Sequence, residues 1–554
     1  MHRNRDYILG VDAGGTFTDA VLVEADTGLV AASAKRPTTH YDVSLGIASA
    51  LQAVMDASRV SPARVVRTCV STTLATNTLV EGKGADVGLF VIGFNQRLEV
   101  PAVAARYIPG GHTVLGEEQE PLGVPYVLDG LAELHDHVDA WAVCGAMAFV
   151  NPAHELVVAK AIALTDTKPV FCSHEASSRA GMKERATTAC LNAQLLPVMR
   201  DFLQGMRHAL ANLGITGNVL VVRGDAHAMH MDEALRHAAS TVASGPAATA
   251  LFGAHAAGNR DALIVDVGGT TTDVTMVRCG APVVNDEGMT LGKWETHVTA
   301  VEMFTVGVGG DSLVLPVQDG SFTVGPERVQ PICLAARKPT FPSPASWIGH
   351  GPNARCLLAA PGTGATDIAH GGLLSFLAEH GPATPGQVLE ALSMAGITFE
   401  TQLAQLVRAQ CVMEAGFTPT DALHVLGQQN FGDTRYATEA ATILGALRGM
   451  DAQEFAHTVL AEAEQRIEDA VLHHVAQREW GDAPAAWLNR RRTKNDGEPS
   501  LISVDISLNV PIIGIGAAAR HLLPGVARSL RADIVFPEGY EVGNAVGAAR
   551  MAME

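Results

Sequence analysis

The sequence of 554 residues predicts an α/β protein built from two related halves. The first observation is a short acidic and glycine-rich stretch at Val11 to Asp19 that returns about half a chain later, at Val265 to Asp273. The second is that apolar runs of strand length alternate with segments of helical periodicity. The third is a set of glycine turns that follow predicted strands, as at Gly514 to Ala519. These patterns predict two sheets, each carrying one copy of the repeated stretch.

Each copy of the repeated stretch has the pattern of a β-hairpin. An apolar strand ends in aspartate, two glycines turn the chain, and a second β-rich run leads away. The glycines let backbone N–H groups face a phosphate oxygen, and the threonines add hydroxyl donors. The candidate cofactor-binding residues in the two turns are Gly14, Gly15, Thr16, Thr18, Gly268, Gly269, Thr270 and Thr272.

Each predicted hairpin also has an acid at each shoulder, Asp12 and Asp19 in the first copy and Asp266 and Asp273 in the second. Carboxylates can hold a hydrated Mg²⁺ or align a water molecule against a phosphate. We therefore predict these four as catalytic residues, with Asp12 and Asp266 as metal ligands. A single such turn is explained equally well as an ordinary β-turn. Two copies favour the functional interpretation.

Three further stretches carry a resemblance to a known family: Val70 to Asn77, Glu184 to Thr188, and Ser244 to Ala247. Together with the hairpin pair, they are similar to the A subunit of the hydantoinase and 5-oxoprolinase family, a branch of the actin, Hsp70 and sugar-kinase superfold. The resemblance covers most of the chain in order, apart from a middle segment. It implies duplicated actin-like (ribonuclease H-like) ATPase lobes, an interlobe cleft that binds ATP and Mg²⁺, and a mostly helical insertion.

Composition excludes several other classes. With 47% hydrophobic and 18% charged residues, the chain is expected to be globular. The net charge of −19 argues against non-specific nucleic-acid binding and against an anionic membrane surface. Eight scattered cysteines indicate neither a disulfide framework nor a zinc knuckle. The charged start from Met1 to Asp6 is not typical of a signal peptide, and no apolar run reaches membrane-spanning length, so we expect a cytoplasmic protein.

The first half is predicted to alternate strands and helices. A long helix follows, and a strand then leads to a polar loop. The predicted strands are 65–70, 87–92, 141–150, 169–172 and 219–222, and the predicted helices are 43–57, 129–137, 153–163, 183–213 and 244–257.

Two groups of polar residues in this half allow more than one interpretation. Thr72, Thr73 and Asn77 follow a strand, where they either cap a helix or, as the resemblance implies, line the cleft. The polar loop contains Asp225, which we expect to face the cleft. It also contains His227, His230 and Asp232, which nearly satisfy metal-site spacing. Because 21 histidines are spread over the chain and no further ligand set is evident, we favour an ordinary loop.

Glycine turns supply the remaining candidates in the second half. Gly309 and Gly310 precede Asp311 in a loop that suits phosphate or adenosine contact. Asp311 replaces the small residue typical of the family, and a carboxylate beside polyphosphate is repulsive unless a metal lies between them. The resemblance implies that Gly514 and Gly516, after a strand at 510–514, contact adenosine. A further strand is predicted at 533–536, and a small-residue helix at 541–549 is predicted to form the hinge.

The middle segment leaves the family pattern. Residues 333–372 read as loop, followed by helices at 373–380 and 385–395. A DNA-binding winged helix is one interpretation, but Arg408 is the only lysine or arginine between 371 and 411. A structural or subunit-contact insertion is favoured. The pattern resumes at Thr418, where Asp421 is predicted to cap or orient a helix, and a long helix is predicted at 451–477.

We therefore expect four segments. Residues 1–178 form the first actin-like lobe, 179–333 the second, 334–500 the loop and helical insertion, and 501–554 complete the second lobe with the hinge helix. Many family members continue into a further C-terminal domain, whereas this sequence ends here.

The resemblance implies an ATP-dependent hydrolase subunit that opens a cyclic amide of the hydantoin or 5-oxoproline type. It also implies a B-type partner subunit, in a hetero- or homo-oligomer. Two alternatives stay open: a subunit of an ATP-dependent ketone carboxylase, and a nucleotide-gated regulatory ATPase similar to reactivating factors. The Asp311 substitution and the insertion favour the regulatory alternative, and motifs alone do not separate the two enzymes.

Overall fold

The computed structural model describes residues 5–15, 17–38, 43–317, 321–349, 351–360, 372–409, 411–481 and 505–553. The chain divides into two compact units. Unit 1 comprises Met1–His255, Gly280–Glu302 and Val542–Glu554, and unit 2 comprises Ala256–Cys279 and Met303–Glu541. The four segments expected from the sequence follow the order of motifs rather than chain packing, and they remain a prediction.

Unit 1 begins with the first predicted hairpin. Its strands form because β-branched and apolar residues alternate with few charges, and the glycine turn lets the chain reverse. The first elements are β1 (Tyr7–Ala13), β2 (Phe17–Glu24), β3 (Val30–Pro37), α1 (Val43–Ser58), β4 (Val65–Thr72) and α2 (Leu74–Val80).

The next elements of unit 1 form a separate parallel sheet with strand order β6-β5-β7-β8. They are β5 (Val87–Ile92), β6 (Ala104–Ile108), α3 (Val124–Leu134), β7 (Ala140–Gly145), α4 (Ala153–Thr165) and β8 (Val170–Cys172). The sheet and its helices enclose a core that includes Phe90, Trp141 and Val158. The prediction of a strand continuing to Val150 is wrong, because turns begin at Ala146, whose N–H donates to the carbonyl of Ile92.

The chain then returns to the first sheet through a long buried helix. The elements are α5 (Ser173–Ala176), α6 (Met182–Asn212), β9 (Asn218–Val222), β10 (Ala228–His230), α7 (Met231–Ala234) and α8 (Ser244–Ala257). Small and apolar side chains let α6 pack on both α1 and β7, so that it links the two sheets of unit 1.

Unit 2 begins with the second hairpin, β11 (Ala262–Val267) and β12 (Thr272–Arg278). A short segment of unit 1 follows, with β13 (Ala281–Pro282), β14 (Val284–Asn285), β15 (Thr290–Leu291), β16 (Trp294–Glu295) and β17 (Ala300–Val301). Unit 2 resumes with β18 (Met303–Val306), β19 (Ser312–Pro316), β20 (Phe322–Arg328), β21 (Gln330–Pro331), α9 (Ile332–Ala335) and β22 (Arg355–Ala359).

The remaining elements of unit 2 are mostly helical. They are α10 (Leu373–His380), α11 (Pro385–Leu392), α12 (Gly396–Arg408), β23 (Val412–Gly416), α13 (Pro419–Val425), α14 (Thr434–Ala446), α15 (Ala452–Trp480), β24 (Ile512–Ile515), α16 (Ala519–Ser529) and β25 (Ile534–Val535). Unit 1 ends with α17 (Gly543–Met551). Single-turn 3-10 helices lie at Pro62–Arg64, His135–His137, Ala238–Thr241, Pro344–Ser346, Gly351–Ala354 and Tyr540–Val542.

The main sheets of the two units repeat one topology. In unit 1 the order β3-β2-β1-β4-β9 has antiparallel pairing up to β1 and parallel pairing beyond it. In unit 2 the order β18-β12-β11-β24-β25 has the same pattern. The duplication predicted from the repeated stretch therefore extends to five strands in each unit.

The insertion is more ordered than the sequence indicates. The prediction that residues 333–372 are loop is wrong in part, because β22 pairs with β23 and closes the segment. A third helix, α12, was missed. The three helices α10 to α12 pack on this strand pair around Leu357, Val388 and Phe399.

Among the residues that the structure describes, none of the helices combines the length and the apolar character needed to cross a membrane.

Candidate functional site

Both hairpins close in the same register. Asp12 lies opposite Asp19 where β1 meets β2, and Asp266 lies opposite Asp273 where β11 meets β12. The predicted β-hairpin with an acid at each shoulder is therefore confirmed in both copies. In each hairpin one carboxylate precedes the glycine turn and the other follows it, and both strands are largely buried.

The two turns are closed by the same backbone hydrogen bond. The N–H of Gly14 donates to the carbonyl of Phe17 at 3.1 Å, and the N–H of Gly268 donates to the carbonyl of Thr271 at 3.0 Å. Glycine fits here because the backbone of the turn is approached closely. A Cβ at Gly14 would lie 3.0 Å from the carbonyl oxygen of Phe17.

Asp12 is held from two sides inside unit 1. The Ser71 hydroxyl donates to its Oδ1 at 2.7 Å, and Asn544 Nδ2 lies 3.3 Å from its Oδ2. Asn544 reaches this position because α17 lies against β1, where a Cβ at Gly10 would clash with the carbonyl of Ala545. Sequence reasoning missed Asn544, because nothing in the local pattern of its small-residue helix points to a contact with Asp12.

The space beyond the first turn is bordered by neutral polar groups. A Cβ at Gly15 would lie 3.5 Å from Asn77 Nδ2 and 4.0 Å from the Thr73 hydroxyl. Asn77 Nδ2 donates to that hydroxyl at 3.3 Å. Both side chains are half-buried. Thr16, predicted as a ligand, lies outside the described residues. Thr73 and Asn77 thus lie beside the turn, and their role in lining the cleft stays a prediction.

Two further threonines support the first hairpin through hydrogen bonds. Thr18 is fully buried, and its hydroxyl lies 3.0 Å from that of Thr38, which donates to the carbonyl of Gly14 at 2.8 Å. The Thr72 hydroxyl donates to the carbonyl of Ala13 at 3.1 Å. The structure therefore gives Thr18 and Thr72 a supporting position, and their proposed contact with a ligand would be indirect.

Asp19 has a cation on one side only. Lys35 Nζ lies 2.8 Å from its Oδ2, while the buried Oδ1 has no hydrogen-bond partner among the described residues. Burial raises the pKa of Asp19, and the ion pair with Lys35 opposes that rise. A buried acceptor left without a donor indicates room for a water molecule or a cation. Lys35 carries no recognisable sequence signal, because its strand β3 has several polar residues.

In unit 2 a glycine loop lies directly on the second turn. The N–H of Gly310 donates to the carbonyl of Gly268 at 3.0 Å, and the N–H of Asp311 donates to the carbonyl of Gly269 at 2.7 Å. A Cβ at Gly309 would lie 2.5 Å from the carbonyl oxygen of Gly268. These N–H groups are therefore already hydrogen-bonded within unit 2. The proposed role of Gly309 and Gly310 in nucleotide binding rests on their position beside the hairpin.

Asp311 projects over the second glycine of that turn. A Cβ at Gly269 would lie 2.7 Å from Asp311 Oδ2, and Arg328 lies 3.4 Å from the same oxygen. Burial raises the pKa of Asp311, and Arg328 opposes this. The neutral amide of Asn77 thus borders Gly15 in the first hairpin, whereas the carboxylate of Asp311 borders the equivalent Gly269 in the second.

Asp266 is bordered by the turn that follows β24. Gly516 has a φ of +91°, and a Cβ there would lie 2.6 Å from Asp266 Oδ1 and 2.4 Å from the carbonyl of Val267. Only glycine fits both the conformation and the space. Gly514 differs, because a Cβ there would clash with the half-buried ring of Phe536. The structure explains Gly514 by packing.

Asp273, on the second strand of the second hairpin, has no cation within ion-pair distance among the described residues. The Thr305 hydroxyl donates to Asp273 Oδ1 at 2.6 Å. Burial raises the pKa of Asp273. Thr272 is fully buried and donates to the carbonyl of Val308 at 2.7 Å, whereas Thr270 in the turn is half-buried.

The polar loop after β9 does not assemble a metal site in the described part of the chain. Asp225 Oδ2 is bound by Arg223 at 2.6 Å, and the side chains of His227 and His230 are exposed. Elsewhere in unit 1, one ligand atom from each of Glu155, Cys172 and His174 lies within 4.8 Å of the other two.

Asp421 has the predicted capping role. Thr418 and Asp421 form a reciprocal capping box at the start of α13. The carboxylate also accepts the N–H groups of Ile332 at 3.0 Å and Cys333 at 2.8 Å. Burial raises its pKa to about 6, against these hydrogen bonds. Asp421 therefore ties α9 to α13.

Comparison with known families agrees with this architecture. The family described as Hydantoinase/oxoprolinase matches residues 185–484, more than half of the chain. The Hydantoinase/oxoprolinase N-terminal region matches residues 8–165. The first match includes the second hairpin and the glycine loop, and the second includes the first hairpin and α2.

Curated relatives align over part of their length. The caprolactamase subunit alpha of Pseudomonas jessenii is 27% identical over 59% of this chain and 52% of its own. The acetophenone carboxylase gamma subunit of Aromatoleum aromaticum is 26% identical over 61% and 52%. The 5-oxoprolinase 1 of Arabidopsis thaliana is 26% identical over 58% and 30%. The chain thus spans about half the length of the first two relatives.

Two solved structures share the fold. A nucleotide-free acetone carboxylase structure has a TM-score of 0.68 at 16% identity, covering 98% of this chain and 70% of that one. The ATP-dependent caprolactamase from Pseudomonas jessenii has a TM-score of 0.64 at 20% identity, with the same coverage. The predicted α/β fold class is confirmed.

Proposed function

The chain belongs to the hydantoinase/oxoprolinase family, and from this premise we propose that it is an ATP-dependent subunit acting on a cyclic amide of the hydantoin or 5-oxoproline type. The observation that carries the proposal is the pair of hairpins in identical register on sheets of identical topology. Two equivalent glycine turns suit the two sides of one triphosphate, and we propose that both bind the same ATP.

The first hairpin is suited to the phosphate groups. Its turn is bordered by the amide of Asn77 and the hydroxyl of Thr73. Lys35, on the adjacent strand β3, lies opposite Asp19 and pairs with its carboxylate. Neutral donors and a nearby cation attract anionic oxygens without a metal. Since the whole chain carries a charge of −19, local donors must outweigh the surrounding field.

The second hairpin is suited to Mg²⁺. Asp311 lies over Gly269 of the turn, and Asp266 lies near the end of β11, two residues before Gly268. Carboxylate oxygens are the ligands that Mg²⁺ prefers. These residues fit a hydrated magnesium ion, which when bound would neutralise phosphate charge.

The reaction we propose is transfer of a phosphoryl group to the lactam oxygen. This turns a poor electrophile into an imidate-like phosphate that water can open. The residues of this chain would contribute chiefly by aligning the reactants and compensating charge. We further propose that a B-type partner subunit completes the ring opening, because the caprolactamase and acetophenone carboxylase relatives are named as subunits.

An ATP-dependent ketone carboxylase subunit is the second candidate. It is favoured by the acetophenone carboxylase relative and by the acetone carboxylase structure, which has the higher TM-score of the two described above. Phosphorylation of an enolate oxygen and phosphorylation of a lactam oxygen both require the two hairpins to bind and align ATP in the same way.

The experiment is phosphate release from ATP with a panel of lactams and ketones, measured for the chain alone and with a co-expressed B-type subunit. We expect a lactam to stimulate phosphate release and to be converted to the ring-opened amino acid. Stimulation by ketones with bicarbonate, and not by lactams, would replace the first candidate with the second. ATP turnover that responds to neither class would contradict both and favour a regulatory ATPase.

A further inference from the structure

A second polar centre lies in unit 1, on the parallel sheet β6-β5-β7-β8. It is built at the carboxyl ends of β7 and β8, where the chain leaves each strand at Gly145 and Cys172. The first turn of α4 supplies Glu155, and the turn after β8 supplies His174. In open α/β sheets, ligands bind outside the carboxyl ends of the parallel strands.

Glu155 is almost completely buried and accepts hydrogen bonds on both oxygens. Oε1 accepts the N–H of Gly145 at 2.6 Å and the hydroxyl of Ser173 at 2.6 Å. Oε2 accepts the N–H of His174 at 3.0 Å and lies 2.6 Å from His174 Nδ1. The buried Arg185 donates to the Ser173 hydroxyl at 2.7 Å, so the Glu184 to Thr188 motif anchors the same network.

This centre has the geometry of a hydrogen-bonded pair rather than of a metal site. Two ligand atoms on one zinc ion are separated by about 3.3 Å, given metal–ligand bonds of about 2 Å in a tetrahedron. The 2.6 Å between Glu155 Oε2 and His174 Nδ1 is a direct hydrogen bond. Burial raises the pKa of the third neighbour, the Cys172 thiol, which therefore stays protonated.

The carboxylate determines which imidazole nitrogen carries the proton. Because Glu155 only accepts, Nδ1 of His174 must donate, and Nε2 then carries the lone pair in the neutral ring. The imidazole is 20% exposed, and Nε2 has no hydrogen-bond partner among the residues that the structure describes. A base with its lone pair free and its other nitrogen held by a buried carboxylate is the arrangement of an oriented general base.

The same sheet contains a matched pair at its opposite edge. His135 Nδ1 lies 3.0 Å from Asp166 Oδ2, close to where β7 and β8 begin. Asp166 also accepts the indole N–H of Trp141 at 2.9 Å. The imidazole of His135 is half exposed. This pair offers similar chemistry at the amino-terminal edge, where ligand sites are not expected.

We propose that His174 is the base that deprotonates the substrate at the atom next to its carbonyl carbon, with Glu155 as its positioning residue. The inference rests on the proposed function and places the acid–base chemistry of that function in unit 1. It applies to both candidate substrates, since a lactam has an acidic N–H and a ketone an acidic C–H at that position.

The proton balance is the same in both cases. His174 Nε2 takes the proton, and the electron pair of the N–H or C–H bond forms a double bond to the carbonyl carbon. The carbonyl π electrons move to oxygen, whose new bond to the phosphoryl group forms as the bond to the leaving nucleoside diphosphate breaks. The imidazolium then returns its proton to solvent.

The first test reads the tautomer without any turnover. In the full chain labelled with ¹⁵N-histidine, we expect the His174 signals to show a protonated Nδ1 and an unprotonated Nε2 once the pH is above the pKa of the ring, assigned by their absence in His174→Asn. The hydrogen bond to Glu155 raises the pKa of His174, with burial opposing and Glu175 and Arg185 also facing the ring. The opposite tautomer would overturn the proposal.

The second test uses substrate-stimulated phosphate release. Asparagine in His174→Asn can place its amide nitrogen where Nδ1 lies, so it keeps the bond to Glu155 but cannot accept a proton at Nε2. We expect turnover to fall at least about 100-fold, with unchanged urea denaturation. His135→Asn is the matched control and should retain wild-type turnover.

Each result decides one question. Wild-type turnover in His174→Asn would overturn the role of His174 and leave the proposed function standing. Equal losses in both variants would show a structural effect and also overturn it. A wild-type protein, with its partner, that responds to no lactam or ketone would overturn the proposed function itself, and this inference with it.

Discussion

The two hairpins share strands, register and turn closure, yet differ in the groups that border the turn. Around the first, Asn77 and Thr73 lie beside Gly15, and Asp19 is paired with Lys35. Around the second, Asp311 lies over Gly269. The backbone of the two turns is therefore equivalent. The side chains that border them differ, with neutral hydrogen-bonding groups at the first turn and a carboxylate at the second.

The difference teaches how a duplicated element diverges. The parts set by main-chain hydrogen bonding stayed identical, because a change of register would move every side chain to the other face of the sheet. The neighbouring loops and helices were free to change. We therefore expect substitutions in the hairpins to act alike, and substitutions around them to act differently.

The largest effect is expected from the shared carboxylates. Asp12→Asn and Asp266→Asn preserve shape but remove charge, so each should lower turnover about 10²–10³-fold. Phosphate release under saturating ATP measures this. Asp56→Asn, on the exposed face of α1, is the control and should be neutral. Loss at only one hairpin would mean that the two copies do not share a nucleotide.

A second comparison concerns stability. Gly309→Ala places a methyl group 2.5 Å from the carbonyl oxygen of Gly268 and should cost about 2–3 kcal/mol of unfolding free energy. Gly15→Ala meets Asn77 at an ordinary 3.5 Å and should cost less than about 1 kcal/mol. Urea denaturation of both variants checks the difference. Equal costs would contradict the close packing of the glycine loop on the second hairpin.

Substitution of the side chains that border the two turns tests whether the second hairpin binds Mg²⁺ and the first binds phosphate. Asp311→Asn removes one anionic ligand and should raise the Mg²⁺ concentration for half-maximal turnover about tenfold, which corresponds to roughly 1.4 kcal/mol. Asn77→Asp should instead weaken ATP binding, because it sets a carboxylate beside the phosphates. Titrations of Mg²⁺ and of ATP separate the two effects. An unchanged Mg²⁺ requirement in Asp311→Asn would remove Asp311 from the metal site.

The smallest effect concerns the ion pair on Asp19. Because burial raises the pKa of Asp19, the folded state keeps a proton that the unfolded chain has lost, and stability falls as pH rises from the ordinary 3.8 through the folded value. Lys35→Gln removes the opposing charge and extends this fall to higher pH, by about 1 kcal/mol at neutral pH.

Urea denaturation across that pH range measures the effect of Lys35. Lys293→Gln, whose pair with Glu99 is exposed, is the matched control. A Lys35→Gln profile that matches wild type at every pH would show that the ion pair does not act on Asp19.

Sequence reasoning was successful where the backbone pattern is local. The hairpins, α1, α6, α8 and the capping box at Thr418 and Asp421 follow from periodicity, turn glycines and helix caps. It failed where long-range packing decides. The strand ending at Gly145 continues as an apolar run, yet turns begin because Glu155 binds the N–H of Gly145 from another helix.

Side chains that approach from distant segments were the hardest to predict. Asn544 reaches Asp12 from the last helix, and no local pattern announces that contact. The packing of Gly309 on the backbone of the second hairpin was likewise not predicted, while the phosphate contact of Gly309 and Gly310 stays a prediction. The pairing of His174 with Glu155 likewise depends on how β8 meets α4.

The most direct measurement is a crystal structure of the chain with Mg²⁺ and a non-hydrolysable ATP analogue. Our account predicts phosphate oxygens at the turns of both hairpins, with the metal ion nearer Asp266 and Asp311 than Asn77. A nucleotide that contacts one hairpin only, or binds away from Gly14 and Gly268, would contradict it.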